Sequence, residues 1–212
     1  MRQKSALFSI PIYLILITFT LSGCTMIFQK GRRTDIEKIS KLKNELSDLE
    51  RAKQELEDQL KKEIADKQVN VEMSDRGLVV TFVAEVLFDS GKADLRSDSL
   101  PKLNKVAAVL NTTVKELNVG IEGHTDNDPI KRSGWKSNWE LSAHRALSVL
   151  HHLTDQQGVA PERLNVAGYG EFRPVTSNAT KEGKQKNRRV EIVILPKTTK
   201  EGRAEGANAG AE

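Results

Sequence analysis

The chain has 212 residues, of which 38% are hydrophobic and only 5% are aromatic. This content is enough for one domain of ordinary size with extensions, but it is low for a chain that folds along its whole length. With 33 basic and 29 acidic residues, the formal net charge of +4 is too small to indicate a nucleic-acid-binding protein. We therefore expect one domain, additional linker or tail segments, and no nucleic-acid partner.

The N-terminal segment has the features of a secretory signal. Arg2 and Lys4 precede an apolar run that extends from Leu7 to Leu21. The run is shorter than the about 20 apolar residues that a membrane-spanning helix needs, and small residues follow it. Residues 1–23 are therefore predicted to be a signal peptide.

Cys24 is the only cysteine, so the chain can form no intramolecular disulfide. It ends the sequence Leu-Ser-Gly-Cys, which resembles the lipobox of bacterial lipoproteins, in which the cysteine is lipidated and becomes the mature N-terminus. The resemblance implies that acyl chains anchor the protein in a membrane, which generally takes more than one chain. Thr25 favours the outer membrane in the sorting pattern of those lipoproteins, and residues 24–34 would then be a lipid-anchored linker. A free thiol at Cys24 is the alternative.

Residues 35–68 are rich in Lys, Glu, Asp, Gln and Leu, and they are predicted to form a helical spacer. Core positions recur there at intervals of three and four, as in a coiled coil, and Lys53 occupies one of them; the others are apolar: Ile39, Leu42, Leu46, Leu49, Leu56 and Leu60. A helix of about 30 residues would reach about 45 Å and would carry the next domain away from the membrane. The same pattern also fits a single amphipathic helix, and the apolar seam would allow the chain to form a homo-oligomer of two or three copies.

Residues 69–196 are predicted to form the compact domain. Apolar residues alternate with polar ones in segments that predict strands: 69–73 and 78–82 as a hairpin, then 117–122, 164–167 and 189–195. Apolar residues at helical spacing predict two helices: 100–110 and 141–153. This order indicates an α+β fold, an α/β sandwich whose mixed sheet has helices on one face. Residues 197–212 lack apolar content and are expected to be disordered.

Polar residues lie at the ends of these predicted elements. Asp126 directly follows a strand, at the position where open α/β sheets commonly place ligand-binding groups. Ser137 or Asn138 is suited to cap the next helix, and Arg145 lies one turn beyond Leu141 on the same helix face. We therefore expect Asp126 and Arg145 to lie close together. They could form a structural ion pair, or they could bracket a ligand that carries both charges.

The stretch from about Val86 to Leu195 resembles the OmpA-like domain of outer-membrane porins, peptidoglycan-associated lipoproteins and flagellar stator proteins of the MotB type. Four motifs in this order carry the resemblance: Gly-His-Thr-Asp (123–126), Asn-x-x-Leu-Ser-x-x-Arg-Ala (138–146), Gly-Tyr-Gly (168–170) and Asn-Arg-Arg-Val-Glu (187–191). It implies a domain that binds the diaminopimelate branch of the peptidoglycan stem peptide without cutting it. The expected function is a tether between the outer membrane and the cell wall, with the domain in the periplasm.

By that resemblance, Asp126 would pair with the ammonium group of diaminopimelate and Arg145 with its carboxylate, both through charge-assisted hydrogen bonds. The other predicted site residues are Thr125, Asn138, Arg188 and, in a loop that lines the site, Asp89. Lysine lacks the carboxylate, so it would leave Arg145 unpaired at a cost of about 1–3 kcal/mol. The pair would therefore select diaminopimelate over lysine.

The segment between Asp126 and Arg145 is longer than in the porins of the family. The extra residues 128–135 resemble the MotB-type version, as does Ser-Asn-Trp-Glu-Leu-Ser at 137–142. This makes an accessory wall anchor beside a motor or secretion machine the alternative function. Two tryptophans of this region could stack on a sugar face or pack over the helix start: Trp135 and Trp139.

Neither a catalytic site nor a metal site is indicated by the sequence. Ser142 falls inside a predicted helix, so it would not form an exposed nucleophile with His124 and Asp126. The chain has no HExxH motif and no cysteine pairs, whereas a metal site needs three or four converging ligands. We therefore expect a protein that is not an enzyme and that uses no metal or cofactor.

Overall fold

A computed structural model describes residues 35–131 and 134–197 of the chain. The predicted signal peptide, Cys24, the linker and the tail from residue 198 onward lie outside the described residues. The chain divides into two compact units, Met1–Asn44 and Glu45–Glu212. In the first unit, the described residues 35–44 are helical. Within the described ranges, no helix is long and apolar enough to cross a membrane.

The second unit alternates helices and strands. In chain order they are α1 (45–59), α2 (Lys61–Ala65), β1 (Val69–Ser74), β2 (Gly77–Val83), α3 (Ala84–Leu87), α4 (Leu100–Asn111), β3 (Asn118–His124), α5 (Asn138–His151), β4 (Leu164–Gly168), α6 (Lys181–Asn187) and β5 (Arg189–Leu195). The predicted hairpin, the two longer helices of the domain and the three later strands are confirmed. Helices α3 and α6 were not predicted, because α3 has a single turn and α6 lacks the apolar repeat that identifies a helix.

The five strands form one mixed sheet in the order β1-β2-β5-β3-β4. Strands β3 and β4 are parallel, whereas the other neighbours pair antiparallel. Because side chains alternate between the faces of a strand, one face carries fully buried apolar residues such as Val80, Ile121 and Ile192. Residues of α1, α4 and α5 join them in a single core cluster.

Helix α1 is part of the domain rather than of a free spacer. The compact unit begins at Glu45, not at the predicted boundary of Val69. Leu49, Leu56 and Leu60 are at most 3% exposed and belong to the core cluster. The heptad pattern predicted their apolar stripe, but such a stripe packs on a sheet as well as on a partner helix. The earlier heptad positions are exposed: Ile39, Leu42 and Leu46.

Two glycines bring α5 against the sheet at the end where the candidate site forms. A Cβ on Gly123 would lie 2.0 Å from the carbonyl oxygen of Ser142, and one on Gly168 would lie 2.5 Å from the backbone nitrogen of Ala143. Only glycine fits at such approaches of backbone to backbone. The first half of α5 therefore lies directly over the ends of β3 and β4.

Candidate functional site

A cavity of about 650 Å³ lies where the ends of β3 and α5 meet α3, its following loop and the end of α6. All six predicted cavity residues line it: Asp89, Thr125, Asp126, Asn138, Arg145 and Arg188. Phe88 and the residues 128–131 form other parts of its wall. The fold thus brings together side chains that come from widely separated parts of the sequence.

Asp126 is buried at the end of β3 and is already a member of an ion pair. Its Oδ2 accepts a hydrogen bond from Arg188 Nη1 at 2.6 Å, and its Oδ1 accepts one from the backbone N–H of Asp128 at 3.1 Å. A carboxylate offers about four lone-pair positions. Asp126 therefore retains the capacity to accept hydrogen bonds from a ligand.

Arg188 is held between two carboxylates, because it also pairs with Glu85 of α3. Burial disfavours its charge, but the hydrogen bonds to Asp126 and Glu85 outweigh burial and raise the pKa of Arg188 above its ordinary value. Arg188 was predicted to contact the ligand, but in the structure it forms an ion pair with Asp126. The part played by Glu85 was not predicted, because it lies outside every motif and no sequence pattern marks it.

Arg145 is the exception among these charges. It is 5% exposed, and it forms no ion pair with any residue in the described ranges. Its Nε donates to the carbonyl oxygen of Lys92 at 2.9 Å, and its guanidinium carbon lies 5.2 Å from the centre of the Phe88 ring. These contacts fix the direction of the guanidinium group and leave its two Nη groups without a described partner.

The environment of Arg145 is unfavourable for its charge. Burial lowers the pKa of Arg145 to about 10; nearby Glu85 and Asp126 act in the opposite direction, and Arg188 reinforces the decrease. The side chain nevertheless stays positively charged at neutral pH. Of the two arrangements considered for Asp126 and Arg145, the direct ion pair is not formed, whereas both side chains do line one cavity.

Asn138 and Thr125 mainly hold the cavity wall together. The Asn138 amide group donates to the carbonyl oxygen of Asp128 at 3.0 Å and to Glu171 Oε2 at 2.8 Å. The Thr125 hydroxyl donates to the carbonyl oxygen of Asp126 at 2.8 Å. These bonds connect the segment after β3, the start of α5 and the loop after β4.

The two tryptophans differ in their surroundings. Trp135 donates its indole N–H to the carbonyl oxygen of Gly91 at 2.8 Å, and its ring centroid lies 4.7 Å from that of His144. It therefore packs at the rim and fastens the longer segment to the loop that carries Asp89. Trp139, in contrast, is about half exposed.

Ser142 has a structural role. It is fully buried, its hydroxyl donates to the carbonyl oxygen of Trp139 at 2.9 Å, and it accepts a hydrogen bond from the backbone N–H of Gly170 at 2.9 Å. Both contacts hold the start of α5 against the loop after β4. The hydroxyl is therefore engaged in the fold.

A second group of charges, here called the sheet-face cluster, lies on the other face of the sheet: Arg76, Glu122, His124, Arg189 and Glu191. Glu122, His124 and Glu191 offer ligand atoms within 4.8 Å of one another, as a metal site would require. However, Arg76 pairs with both carboxylates, and Arg189 pairs with Glu191 at 2.6 Å. The buried Arg189 and the partly exposed Arg76 oppose a third cation, so the cluster has the pattern of structural ion pairs.

Known proteins share this domain. Residues 87–188 match the OmpA family. The chain is 39% identical over 150 residues to Motility protein B of Bacillus subtilis, with 71% of this chain and 57% of that protein covered. It is 34% identical over 176 residues to the uncharacterized protein YtxE of the same organism, with 80% of this chain and 72% of that protein covered. The chain belongs to the OmpA family.

The fold of this OmpA-family chain is also found in a solved structure. The cell wall anchor of the T6SS from Pseudomonas aeruginosa is 36% identical and has a TM-score of 0.60, with 67% of this chain and 97% of that chain covered. This likeness confirms the predicted fold class, and the family assignment confirms the prediction that the chain is not an enzyme. The chain spans about half the length of the Motility protein B relatives that it matches, 57% and 48%.

Proposed function

We propose that this chain binds peptidoglycan without cleaving it and anchors a membrane to the cell wall. One observation carries the proposal: the buried Arg145, which has no carboxylate partner among the described residues, lines the same cavity as Asp126. Removing a charge from water costs free energy unless a partner compensates for it. A ligand carboxylate would supply the partner that the described residues do not.

The ligand group that suits this cavity is the free end of diaminopimelate, which carries an ammonium and a carboxylate on one carbon. The two Nη groups of Arg145 are suited to a bidentate contact with the carboxylate. Asp126, with acceptor capacity remaining beside Arg188, would take the ammonium. Arg188 would then act chiefly by holding the Asp126 carboxylate in position.

The same arrangement predicts selectivity among cell walls. A stem peptide with lysine in place of diaminopimelate has the ammonium but lacks the neighbouring carboxylate. It would leave Arg145 buried and unpaired, which costs about 1–3 kcal/mol or roughly a 5- to 150-fold loss of affinity. The proposed site therefore prefers diaminopimelate-containing peptidoglycan.

The proposed anchor is a lipid on Cys24, with the binding domain in the periplasm and the outer membrane as the compartment. The support for this part is the lipobox-like sequence and Thr25. Association of several copies through the helical segment is a further part of the proposal, and it rests on the exposed seam positions: Ile39, Leu42 and Leu46.

A second candidate function is an accessory wall anchor beside a motor or secretion machine. It is favoured by the likeness to Motility protein B and to the cell wall anchor of the T6SS. Both functions share wall binding and differ in the protein partner. Crosslinking in cells followed by affinity purification separates them, because recovery of wall fragments and abundant porins alone contradicts the machine.

Sedimentation with purified sacculi tests wall binding itself. We expect the full-length chain in detergent to sediment with diaminopimelate-type sacculi, and Arg145→Ala or Asp126→Ala to reduce the bound fraction at least about tenfold. Arg51→Ala is a matched control, because Arg51 is an exposed arginine on α1. Full retention of both cavity variants, with folding verified by circular dichroism, would contradict the proposed site.

A further inference from the structure

We infer that an exposed pair of aromatic rings beside the cavity, Trp139 and Phe172, binds a sugar of the glycan strand that carries the stem peptide. The inference rests on the proposed function and adds a second contact to it. The two rings stack with their centroids 5.0 Å apart and their planes 21° apart. Trp139 is 49% exposed and Phe172 is 62% exposed. We call this pair the aromatic platform.

Packing alone does not account for the aromatic platform, as the neighbouring tryptophan shows. The indole N–H of Trp135 is bonded to Gly91, and its ring is covered by His144. The indole N–H of Trp139 has no hydrogen-bond partner among the residues that the structure describes, and half of the side chain faces solvent. An apolar ring face with a free donor at its edge suits a sugar, which has an apolar C–H face and hydroxyl groups around its edge.

The aromatic platform is connected to the cavity wall through Asn138 and Glu171. Asn138, which lines the cavity, immediately precedes Trp139 and donates to Glu171 Oε2 at 2.8 Å. Glu171 immediately precedes Phe172, so this bond ties the two halves of the platform to the cavity wall. Gly170 packs closely on the backbone of Trp139, where an added Cβ would lie 3.2 Å from its nitrogen. The aromatic platform is therefore held rigidly next to a residue of the cavity wall.

The spacing of the two contacts agrees with the covalent structure of peptidoglycan. Trp139 and Arg145 lie in the same helix, α5, six residues and therefore about 9 Å apart along its axis. In a stem peptide, two residues separate the sugar-linked lactyl group from diaminopimelate. These two residues span at most about 7 Å, and the lactyl atoms extend the distance between the sugar and diaminopimelate by a few ångströms. Trp139 lies to one side of the face that Asn138 and Arg145 share, so the ligand would bend around Asn138.

The size of the aromatic platform disfavours a second copy of the chain as the occupant. Two aromatic side chains that are about half exposed offer on the order of 200–300 Å². A stable protein interface buries about 800 Å² on each partner. The platform suits a small group on a ligand that is held mainly by the cavity.

The test compares two ligands by calorimetry with the full-length chain: a free stem tripeptide that ends in diaminopimelate, and the same tripeptide on its disaccharide. We expect the chain to bind the disaccharide form about 5- to 10-fold more tightly. Trp139→Ala and Phe172→Ala should lose this advantage and bind the free tripeptide like the unchanged chain. Leu147→Ala, which removes another exposed apolar side chain from α5, should keep it.

The outcomes separate this inference from the proposed function. Equal affinity of the unchanged chain for both ligands overturns the aromatic platform and leaves peptidoglycan binding intact. Binding of neither ligand overturns both. If Trp139→Ala no longer binds the free tripeptide, the ring serves to maintain the cavity. If the unchanged chain is a dimer in sedimentation equilibrium and Trp139→Ala is a monomer, the ring serves self-association. Either result overturns the sugar contact.

Discussion

Two groups of buried charge in the same domain differ in how completely they are paired. One is the sheet-face cluster, and the other lines the cavity between β3 and α5. Both contain arginines and carboxylates with little exposure to water. The difference between them indicates which charges maintain the fold and which are available to a ligand.

The sheet-face cluster is balanced. Arg76 pairs with Glu122 and Glu191, and Arg189 pairs with Glu191, so two positive charges meet two negative ones. Each buried charge has the partner that compensates for its loss of water. The arginines and carboxylates of this cluster therefore need no ligand charge, although both ring nitrogens of His124 are buried without a hydrogen-bond partner among the described residues.

The cavity also has two arginines and two carboxylates in this group, but they are paired unevenly. Arg188 pairs with both Asp126 and Glu85, whereas Arg145 forms no ion pair with a described residue and contacts a carbonyl oxygen and an aromatic ring. A buried charge without its partner is costly to the fold, and functional sites are where proteins commonly retain such costs. We therefore assign the unpaired arginine, and not the buried charges in general, to ligand binding.

Removal of one charge from the balanced cluster should have the largest effect on stability. Glu191→Gln keeps the shape of the side chain but leaves Arg189 buried without its carboxylate, so we expect the free energy of unfolding to fall by about 3–5 kcal/mol. Urea denaturation measures the change. Glu116→Gln, at an exposed glutamate, should change it by less than about 0.5 kcal/mol. If Glu191→Gln lowers the free energy of unfolding no more than Glu116→Gln does, the balanced cluster does not stabilise the fold.

An alteration of the distance between β3 and α5 should affect the cavity more than the sheet. In Gly123→Ala, the new methyl group would meet the carbonyl oxygen of Ser142, so α5 must move away; we expect a loss of about 1–3 kcal/mol in stability and weaker binding to sacculi. Gly120→Ala is the matched control in the same strand, because its Cβ would meet no backbone atom; it would lie 3.2 Å from the end of the Asn165 side chain and 4.0 Å from the Cβ of Val193. Equal behaviour of the two variants would show that this close approach does not position the site.

A fall in pH should lower the free energy of unfolding by less than the two substitutions above, and His124 of the sheet-face cluster should contribute to this decrease. Burial lowers the pKa of His124, although Glu122 and Glu191 oppose this and Arg189 reinforces it. The unfolded chain therefore takes up a proton before the folded one, and the free energy of unfolding should decrease as the pH falls below about 6.5. Urea denaturation between pH 8 and 5 measures this decrease.

His124→Gln should reduce the pH dependence without abolishing it, because burial also lowers the pKa of His152. Arg145, with a pKa of about 10, keeps its charge over the whole range. Wall binding at pH 8 and pH 6.5 should therefore be alike. A stability that does not vary between pH 8 and 5 would contradict the buried neutral state of His124.

Several features of the fold could be predicted from the sequence because they depend on local patterns. Alternating apolar residues marked the strands, and the ordered motifs contained five of the charged or polar residues that line the cavity: Thr125, Asp126, Asn138, Arg145 and Arg188. The packing of Leu56 and Leu60 on the sheet could not be predicted, because an apolar stripe does not specify its partner. The pairing of Arg188 with Asp126 and Glu85 depends on three segments that only the folded chain brings together.

The most direct test of the unpaired arginine is a titration of the full-length chain with two stem tripeptides, one with diaminopimelate and one with lysine at its end. We expect the chain to prefer diaminopimelate by roughly 10- to 100-fold. We also expect Arg145→Ala to remove this preference while the free energy of unfolding changes by less than about 1 kcal/mol. Equal affinities of the unchanged chain for the two peptides would contradict the assignment of Arg145 to the ligand carboxylate.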